Sequence, residues 1–274
     1  MIVVINMLKR FLLLSLYLTA LLLLASCVVE PVTGRRQLIV GSVEEEMEQS
    51  ALLWTETLKK HKPSKYSDLK WLVDKVQTTL LSNGDFGHKW TFMLLSSDEP
   101  NAFSLPGGQV AVYDALFKHI DNEAELAAVI AHEMAHVIAR HSAERSTERY
   151  VVDMGRSALS AALEQARAEK KDIIMAAYSG ISNVGFLMPY SRQHEYSADR
   201  IAMVMMAQAG YDPQCAIDFW ERFAKTGRTG FPSDFLASHP SDAARARALK
   251  AILPEANNIY RVSHKIGKGV LLQH

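Results

Sequence analysis

The sequence predicts an α+β fold that is mostly helical and carries one small β-sheet. Apolar residues recur at helical spacing through several long segments, which predicts amphipathic helices around a core. Strand patterns lie at residues 89–97 and 101–116, between two helical regions. With 274 residues the chain can bury a sizeable core, and its 30 basic residues balance 30 acidic ones. Nothing in that balance favours nucleic acid as a partner.

The first 26 residues are predicted to be a lipoprotein signal peptide. Lys9 and Arg10 precede an apolar run over residues 11–25, as in secretory signals. The run ends in "LASC", which resembles a bacterial lipobox, so we expect Cys27 to be lipidated. Val28 follows in place of the aspartate that by resemblance retains lipoproteins at the inner membrane. We therefore expect an outer-membrane anchor facing the periplasm of a bacterial envelope; a single-pass membrane anchor is the alternative.

Four parts are expected along the chain. They are the signal peptide (1–26), a lipidated N-terminus and tether with a strand-like end (27–41), one folded domain (42–253) and a C-terminal tail (254–274). Cys215 is the other cysteine, so acylation of Cys27 would leave no intrachain disulfide. We expect Cys215 to be a buried, small apolar residue.

The elements before residue 120 follow from capping and periodicity. Ser42 and Glu45 form a capping box at the start of the first helix, residues 42–60. Ser67 is expected to cap a second helix that Asn83-Gly84 ends. "KWTFMLLSS" predicts a strand, and "NAFSLPGGQVAVYDAL" predicts two short strands around a Pro-Gly-Gly turn.

Helices dominate the rest of the chain. They are predicted over residues 121–143, 145–171 and 192–209, the last ended by Gly210, and after residue 241. Residues 173–191 contain no formal charge, which leaves two interpretations open. They form either an apolar segment packed around a cleft or, less well suited because of Ser179, Asn183 and Pro189, a membrane span.

One helix carries a pattern typical of metal chemistry, "AVIAHEMAHVIARH" (128–141). His132 and His136 are four residues apart, so they project from one face and can bind one metal ion. Glu133 lies about 100° around the helix, where it can miss the metal yet act as a base beside it. The alternative is a pair of histidines satisfied within the core.

A catalytic zinc also needs a third protein ligand. Glu195 in "HEYSADR" is a candidate, and Asp199, one turn further along, could accept a hydrogen bond from a ligand histidine. The alternative is a solvated helix face on which both acids pair with Arg192 and Arg200.

These residues resemble the gluzincin metallopeptidases. Five further stretches narrow the resemblance to the family of the CAAX prenyl endopeptidase and HtpX, in its envelope-lipoprotein and mitochondrial Oma-like branch. They are "PVTGRRQLIVGSVEEE", "NAFSLPGGQVAVYDAL", "AAVIAHEMAHVIARHSAER", "PYSRQHEYSADRIAM" with "AQAGYDP", and "SHPSDAARARAL". The resemblance spans about residues 31–250 and implies a zincin-like metallopeptidase domain whose edge strand borders the active-site helix.

The resemblance also implies roles for individual residues. One zinc ion per chain would be bound by His132, His136 and Glu195, with Glu133 as general base and acid. His239, in the pattern His-Pro-x-x-x-x-Arg, would stabilise the oxyanion or latch the open metal position. The remaining implied residues are Arg245, which would orient that pattern, Asp199 behind the ligands, and a substrate-binding strand at Asn101, Ala102 and Phe103. His141 and His194 are interpreted as structural and left out of the site.

The function implied is zinc-dependent endopeptidase activity on misfolded or misassembled envelope proteins, bound in extended conformation. The membrane partner would be reached through the lipid on Cys27, and the oligomeric state is not predicted. A zinc-holding chaperone or assembly scaffold with latched or minor proteolysis is the alternative. The intact Glu133 favours the enzyme, because a structural metal site has no use for a base.

Overall fold

The computed structural model describes residues 27–30, 33–84, 86–165, 169–185, 191–226, 239 and 243–272. The predicted signal peptide lies outside these residues, and of Cys27 only the backbone is described. The strands are β1 (Cys27–Val29), β2 (Arg36–Leu38), β3 (Thr91–Leu95), β4 (Ala102–Leu105) and β5 (Gln109–Tyr113). The helices are α1 (Val43–Lys60), α2 (Ser67–Leu81), α3 (Glu123–Ile138), α4 (His141–Gln165), α5 (Lys171–Gly185), α6 (Arg192–Gln208), α7 (Gln214–Thr226) and α8 (Ala243–Val262). The predicted α+β class, mostly helical with little sheet, is confirmed.

The main sheet has three strands in the order β3-β5-β4. β3 runs parallel to β5, and β4 pairs antiparallel with β5 with Ser104 opposite Val110. Within the described residues β4 is paired on one side only. Because the other side of β4 is a free edge, its backbone amides and carbonyls on that side can pair with another chain.

Helix α3 forms the centre of the domain and is buried from Glu123 to Val137. Its small residues (Ala124, Ala127, Ala128, Ala131 and Ala135) let neighbouring elements approach closely, and it contacts α2, α6, α7 and β4. Asn122 caps it by accepting a hydrogen bond from the Glu125 amide. This environment is almost wholly apolar, so any polar side chain on α3 requires a partner nearby.

Helix α3 ends earlier than predicted. The pattern indicated one helix over 121–143, but the chain breaks after Ile138 because Arg140 adopts φ 52°, and α4 starts at His141. The left-handed conformation costs a non-glycine residue about 1 kcal/mol, so it indicates a turn held by its surroundings. Ser67 likewise begins α2 without capping it through its side chain, whereas the capping box of Ser42 and Glu45 is confirmed.

The N-terminal segment, expected to be a tether, forms a second, two-stranded sheet in which β1 and β2 pair antiparallel. The Glu30 carboxylate is buried and accepts a hydrogen bond from Ser197 of α6 at 2.8 Å. The Gln37 amide donates to the Ala139 carbonyl at 2.7 Å, and Arg35 forms a bidentate pair with Glu144 of α4. This hairpin therefore docks against the helices that carry the polar cluster described below.

Replacing Arg35 with alanine is expected to lower the free energy of unfolding by about 2 kcal/mol at pH 7, since a hydrogen bond to a charged group contributes about 1.5–3 kcal/mol. Burial alone would raise the pKa of Glu144, but hydrogen bonds from His194 and Arg35 outweigh it and lower that pKa from 4.5 to about 2. Ionised Glu144 thus stabilises the fold above its ordinary pKa, and this contribution is lost as pH falls towards the folded value.

Urea denaturation of both proteins from pH 7 to pH 3 measures this effect. The stability difference should shrink below about pH 4.5. Arg36→Ala is the matched control, because Arg36 is exposed and should change stability by less than about 0.5 kcal/mol. A difference between wild type and Arg35→Ala that is independent of pH would contradict the assignment.

The C-terminal segment packs against the domain. Helix α8 runs through Pro254 to Val262, beyond the predicted boundary at residue 253, and the chain then returns to Gly210 after α6. The Ile266 amide donates to the Gly210 carbonyl at 2.7 Å. Gly210 has φ +84°, and a Cβ there would lie 1.8 Å from the His264 carbonyl oxygen, so this contact requires glycine.

Helix α5 covers most of the uncharged segment 173–191, whose residues 186–190 lie outside the described part of the chain. Among the described helices, none is both long and apolar enough to cross a bilayer. Cys215 is buried as expected, and burial raises the pKa of its thiol to about 12.

Candidate metal centre

Four polar side chains from three parts of the chain meet at the middle of α3. His132 and His136 come from α3, Glu195 comes from the first turn of α6, and His239 precedes α8. All four are at least 98% buried, and one ligand atom from each lies within 4.8 Å of the others. The structure therefore brings together the three predicted metal ligands and His239, which the resemblance implied would lie near the metal.

The spacing of these atoms fits a small, tetrahedrally coordinated ion. His132 Nε2 and His136 Nε2 are 3.1 Å apart, and each lies 3.4 Å from an oxygen of Glu195. Ligand atoms about 2.1 Å from a zinc ion at the centre of a tetrahedron are about 3.4 Å apart. Burial lowers the pKa of His136 to about 4, so its imidazole is neutral at physiological pH and can donate a lone pair. Two imidazoles and a carboxylate form a donor set well suited to zinc.

Glu133 lies beside this cluster and is not a member of it. Its Oε2 accepts a hydrogen bond from the Ser104 hydroxyl of β4 at 2.9 Å, and its Oε1 lies 3.1 Å from His239 Nε2. Burial alone would raise the pKa of Glu133, but the neighbouring His239 and the two α3 histidines lower it below the ordinary value. The carboxylate is therefore ionised at neutral pH and can accept a proton.

Asp199 and Arg245 support the cluster from behind. Asp199 Oδ1 lies 3.0 Å from His132 Nδ1, which leaves Nε2 of that ring facing the ligand group. Arg245 donates to both oxygens of Asp199 at 2.7 and 2.8 Å, and its Nη1 lies 2.6 Å from Glu195 Oε2. Its guanidinium stacks 3.8 Å from the centroid of the Trp220 ring. The buried cation of Arg245 thus holds two carboxylates in position. Both Glu195 and Asp199 are buried, which excludes the alternative that they lie on a solvated face of the helix.

His239 occupies the remaining side of the ligand group. Its Nδ1 lies 3.2 Å from His132 Nε2 and 3.3 Å from Glu195 Oε1. Burial would lower the pKa of His239, but Glu195 and Glu133 outweigh it and raise the pKa to about 10. In this arrangement both of its ring nitrogens face groups of the predicted site.

Two histidines left out of the predicted site belong to its surroundings. His141 Nδ1 lies 3.0 Å from His136 Nδ1, and the His194 ring stacks on His141 with centroids 4.7 Å apart. His194 Nε2 in turn lies 2.9 Å from Glu144. A second cluster of possible metal donors, Glu144, Glu148 and His194, overlaps this chain of contacts, but Arg35 already engages Glu144 through two hydrogen bonds.

The predicted substrate strand borders the site with one difference in detail. Ala102 is buried and Phe103 packs on the opposite face against Tyr113, while Asn101 Oδ1 accepts from the Ala102 amide at 2.9 Å. The side chain of β4 that reaches the site is Ser104, which the sequence analysis did not single out. Nothing in the sequence distinguishes this serine from other strand residues. Only the pairing register of β4 with β5 shows that its side chain lies on the same side as Glu133.

Comparison with known proteins places the chain in a family. The model of Peptidase family M48 matches residues 67–253. The chain is similar to the mitochondrial metalloendopeptidase OMA1 of Schizosaccharomyces pombe, with 32% identity over 231 residues that cover 82% of this chain and 66% of that protein. It is also similar to the beta-barrel assembly-enhancing protease of Escherichia coli K12, with 34% identity over 165 residues that cover 56% of this chain and 32% of that protein.

The chain spans between about a third and two thirds of the length of these relatives. The family model covers α2 to the first part of α8, including His132, Glu133, His136, Glu195, His239 and Arg245. Together with the buried His/His/Glu metal site, this match shows that the chain belongs to peptidase family M48.

Proposed function

We propose that this protein is a zinc-dependent endopeptidase with one zinc ion per chain. The observation that carries the proposal is the position of Glu133, which lies between the free-edge strand β4 and the ligand cluster without belonging to that cluster. A purely structural metal site is closed by its ligands and needs no ionised carboxylate beside it.

When bound, zinc would polarise the scissile carbonyl and make the attacking water more acidic. Glu133 accepts the proton of that water and delivers it to the leaving amine. Ser104 holds Oε2, so Oε1, which faces His239 Nε2 at 3.1 Å in the resting site, is the oxygen that exchanges the proton once His239 moves away. The free edge of β4 binds the substrate backbone as an added strand, which gives affinity without selecting a side chain.

Metal content and cleavage of unfolded casein test this function in the purified protein. We expect about one zinc per chain, loss of cleavage after chelation, and recovery on adding zinc back. His136→Gln should lose both metal and cleavage, because it removes one imidazole donor. Cleavage that is insensitive to chelation, or protein without metal, would refute the proposal.

His239 is proposed to latch the resting site. Its Nδ1 faces two ligand groups and its Nε2 faces the base, so it competes with water and substrate for both. This favours the latch over the second role that the resemblance implied, oxyanion stabilisation.

Replacing His239 with alanine is therefore expected to raise kcat/KM for a short peptide about tenfold. That is the increase expected if the binding-competent population rises from about one tenth to nearly all molecules. His264→Ala, at an exposed position, is the control and should change nothing. A decrease in kcat/KM with His239→Ala would instead assign this residue to the oxyanion.

The cellular setting is part of the same proposal. The lipobox-like "LASC" supports attachment through Cys27, facing the periplasm at the outer membrane, and the docked hairpin would keep the domain close to that lipid. The similarity to a beta-barrel assembly-enhancing protease supports misassembled envelope proteins as substrates. Mass spectrometry of the mature N-terminus tests the anchor: an unmodified Cys27, or an intact signal peptide, would refute it.

A further inference from the structure

A cavity of about 190 Å³ opens between α1 and the junction of α3 with α4. His136 lies at its inner side, so the cavity adjoins the metal centre. Its walls are mainly apolar and come from Val43 and Met47 of α1, Pro106 after β4, Val137 of α3 and Ala143 of α4. Helix α1 lies before the residues matched by the family model, and the metal ligands lie within them.

The charges that line the cavity cancel. Glu46 and Arg140 both face it and form an ion pair with each other. His88 also lines the cavity, and its pKa is lowered mainly by burial and also by the positive charge of Arg140. Its imidazole is therefore neutral at pH 7. A charged side chain entering the cavity would lose hydration without gaining a partner of opposite charge, so an apolar side chain is favoured.

The size of the cavity suits a large apolar side chain. An apolar cavity of about 150 Å³ is sufficient to bind benzene. The volume of about 190 Å³ therefore accommodates a leucine, methionine or phenylalanine side chain, and an alanine would leave most of it empty.

The cavity adjoins β4 through a neighbouring cavity with which it shares part of its lining. A second cavity, of about 160 Å³, shares Glu46, Pro106, Ser142 and Ala143 with the first and is also lined by Ser104, the residue bonded to Glu133. A chain added to β4 would therefore pass both the base and the first cavity. Because successive side chains of an extended chain point to opposite sides, one residue near the scissile bond would be directed towards α1.

We propose that this cavity is a specificity pocket that binds one bulky apolar side chain flanking the scissile bond. The inference rests on the proposed peptidase function and names its substrate class: extended segments carrying leucine, methionine or phenylalanine at one fixed position. Such residues are buried in folded proteins, so the pocket selects chains that have lost their fold.

The test uses the full-length, zinc-loaded protein and a peptide library from a denatured proteome. Cleavage sites should be enriched for these three residues at one position.

Met47→Trp fills the pocket and should lower kcat/KM for a leucine peptide at least tenfold relative to the corresponding alanine peptide, since each methylene in such a pocket contributes about tenfold or more. Met47→Ala enlarges it and should favour phenylalanine over leucine. Leu52→Trp on the same helix is the matched control, because Leu52 is 63% exposed and outside both cavities.

Binding of the same peptides to Glu133→Gln, measured by fluorescence anisotropy, separates the two hypotheses. Cleavage without apolar preference, or a preference unchanged by both Met47 variants, would overturn the pocket and leave the peptidase function standing. Binding that prefers leucine and is weakened by Met47→Trp, but without cleavage by the wild type, would keep the pocket and overturn the peptidase function. Neither cleavage nor selective binding would overturn both.

Discussion

Replacing Glu133 with glutamine is expected to lower kcat/KM for peptide hydrolysis by at least about 10³-fold, while zinc content and thermal stability remain near those of the wild type. A positioned acid–base residue contributes about 10²–10⁴-fold, and Glu133 would act twice, on the attacking water and on the leaving amine. Glutamine has nearly the same shape and its amide oxygen can accept the bond from Ser104, but it cannot take up a proton.

Cleavage assays, metal analysis and melting curves on the same preparation measure the three quantities. Glu56→Gln on α1 is the matched control, because it makes the same chemical change at an exposed position. Ser104→Ala should have a smaller effect, mainly on kcat, because it removes one hydrogen bond to the base and leaves the base in place. Retained cleavage in Glu133→Gln would mean that another group accepts the proton, and loss of zinc would mean that Glu133 supports the ligands.

The parts of the site that could be predicted from sequence are local ones. On any helix, the four-residue spacing of His132 and His136 places both side chains on the same face. The capping box of Ser42 and Glu45 likewise depends only on residues close together in the sequence. Glu195 is 59 residues beyond His136 along the chain, and only the packing of α6 on α3 brings it to that face. Glu195 could be assigned as a metal ligand from the sequence only through the family resemblance. The periodicity of apolar residues shows which face of a helix is buried, but not which helices contact each other.

The position of His141 shows how a continuous helical periodicity misplaces a side chain at a helix end. On an unbroken helix over 121–143, His141 would lie nine residues beyond His132, on the opposite face. The left-handed turn at Arg140 ends that helix and directs His141 to the far ring nitrogen of His136, 3.0 Å away. Arg140 is neither glycine nor asparagine, so the sequence contains no signal for this turn. The same turn aims Arg140 at Glu46 and so shapes the cavity beneath α1.

Replacing Arg245 with methionine is expected to lower the free energy of unfolding of the metal-free protein by about 3–5 kcal/mol. Breaking a buried ion pair by removing one partner costs this much because the remaining charge stays buried. Arg245 is 1% exposed and faces both Asp199 and Glu195, so the substitution removes the guanidinium that the two buried carboxylates share. Burial alone would raise the pKa of Glu195 and that of Asp199, but Arg245, together with the neighbouring histidines, outweighs burial and lowers both below their ordinary values.

Urea denaturation of the metal-free proteins and zinc titration of each variant test this expectation. Arg245→Lys keeps the charge but not the planar fork, so it should recover only part of the stability. Adding Asp199→Asn to Arg245→Met should recover part of the loss, because it removes one uncompensated charge. Arg200→Met is the matched control: Arg200 pairs with Glu255 at the surface, and its loss should cost less than about 1 kcal/mol. If Arg245→Met costs no more than Arg200→Met, the two acids do not need this cation.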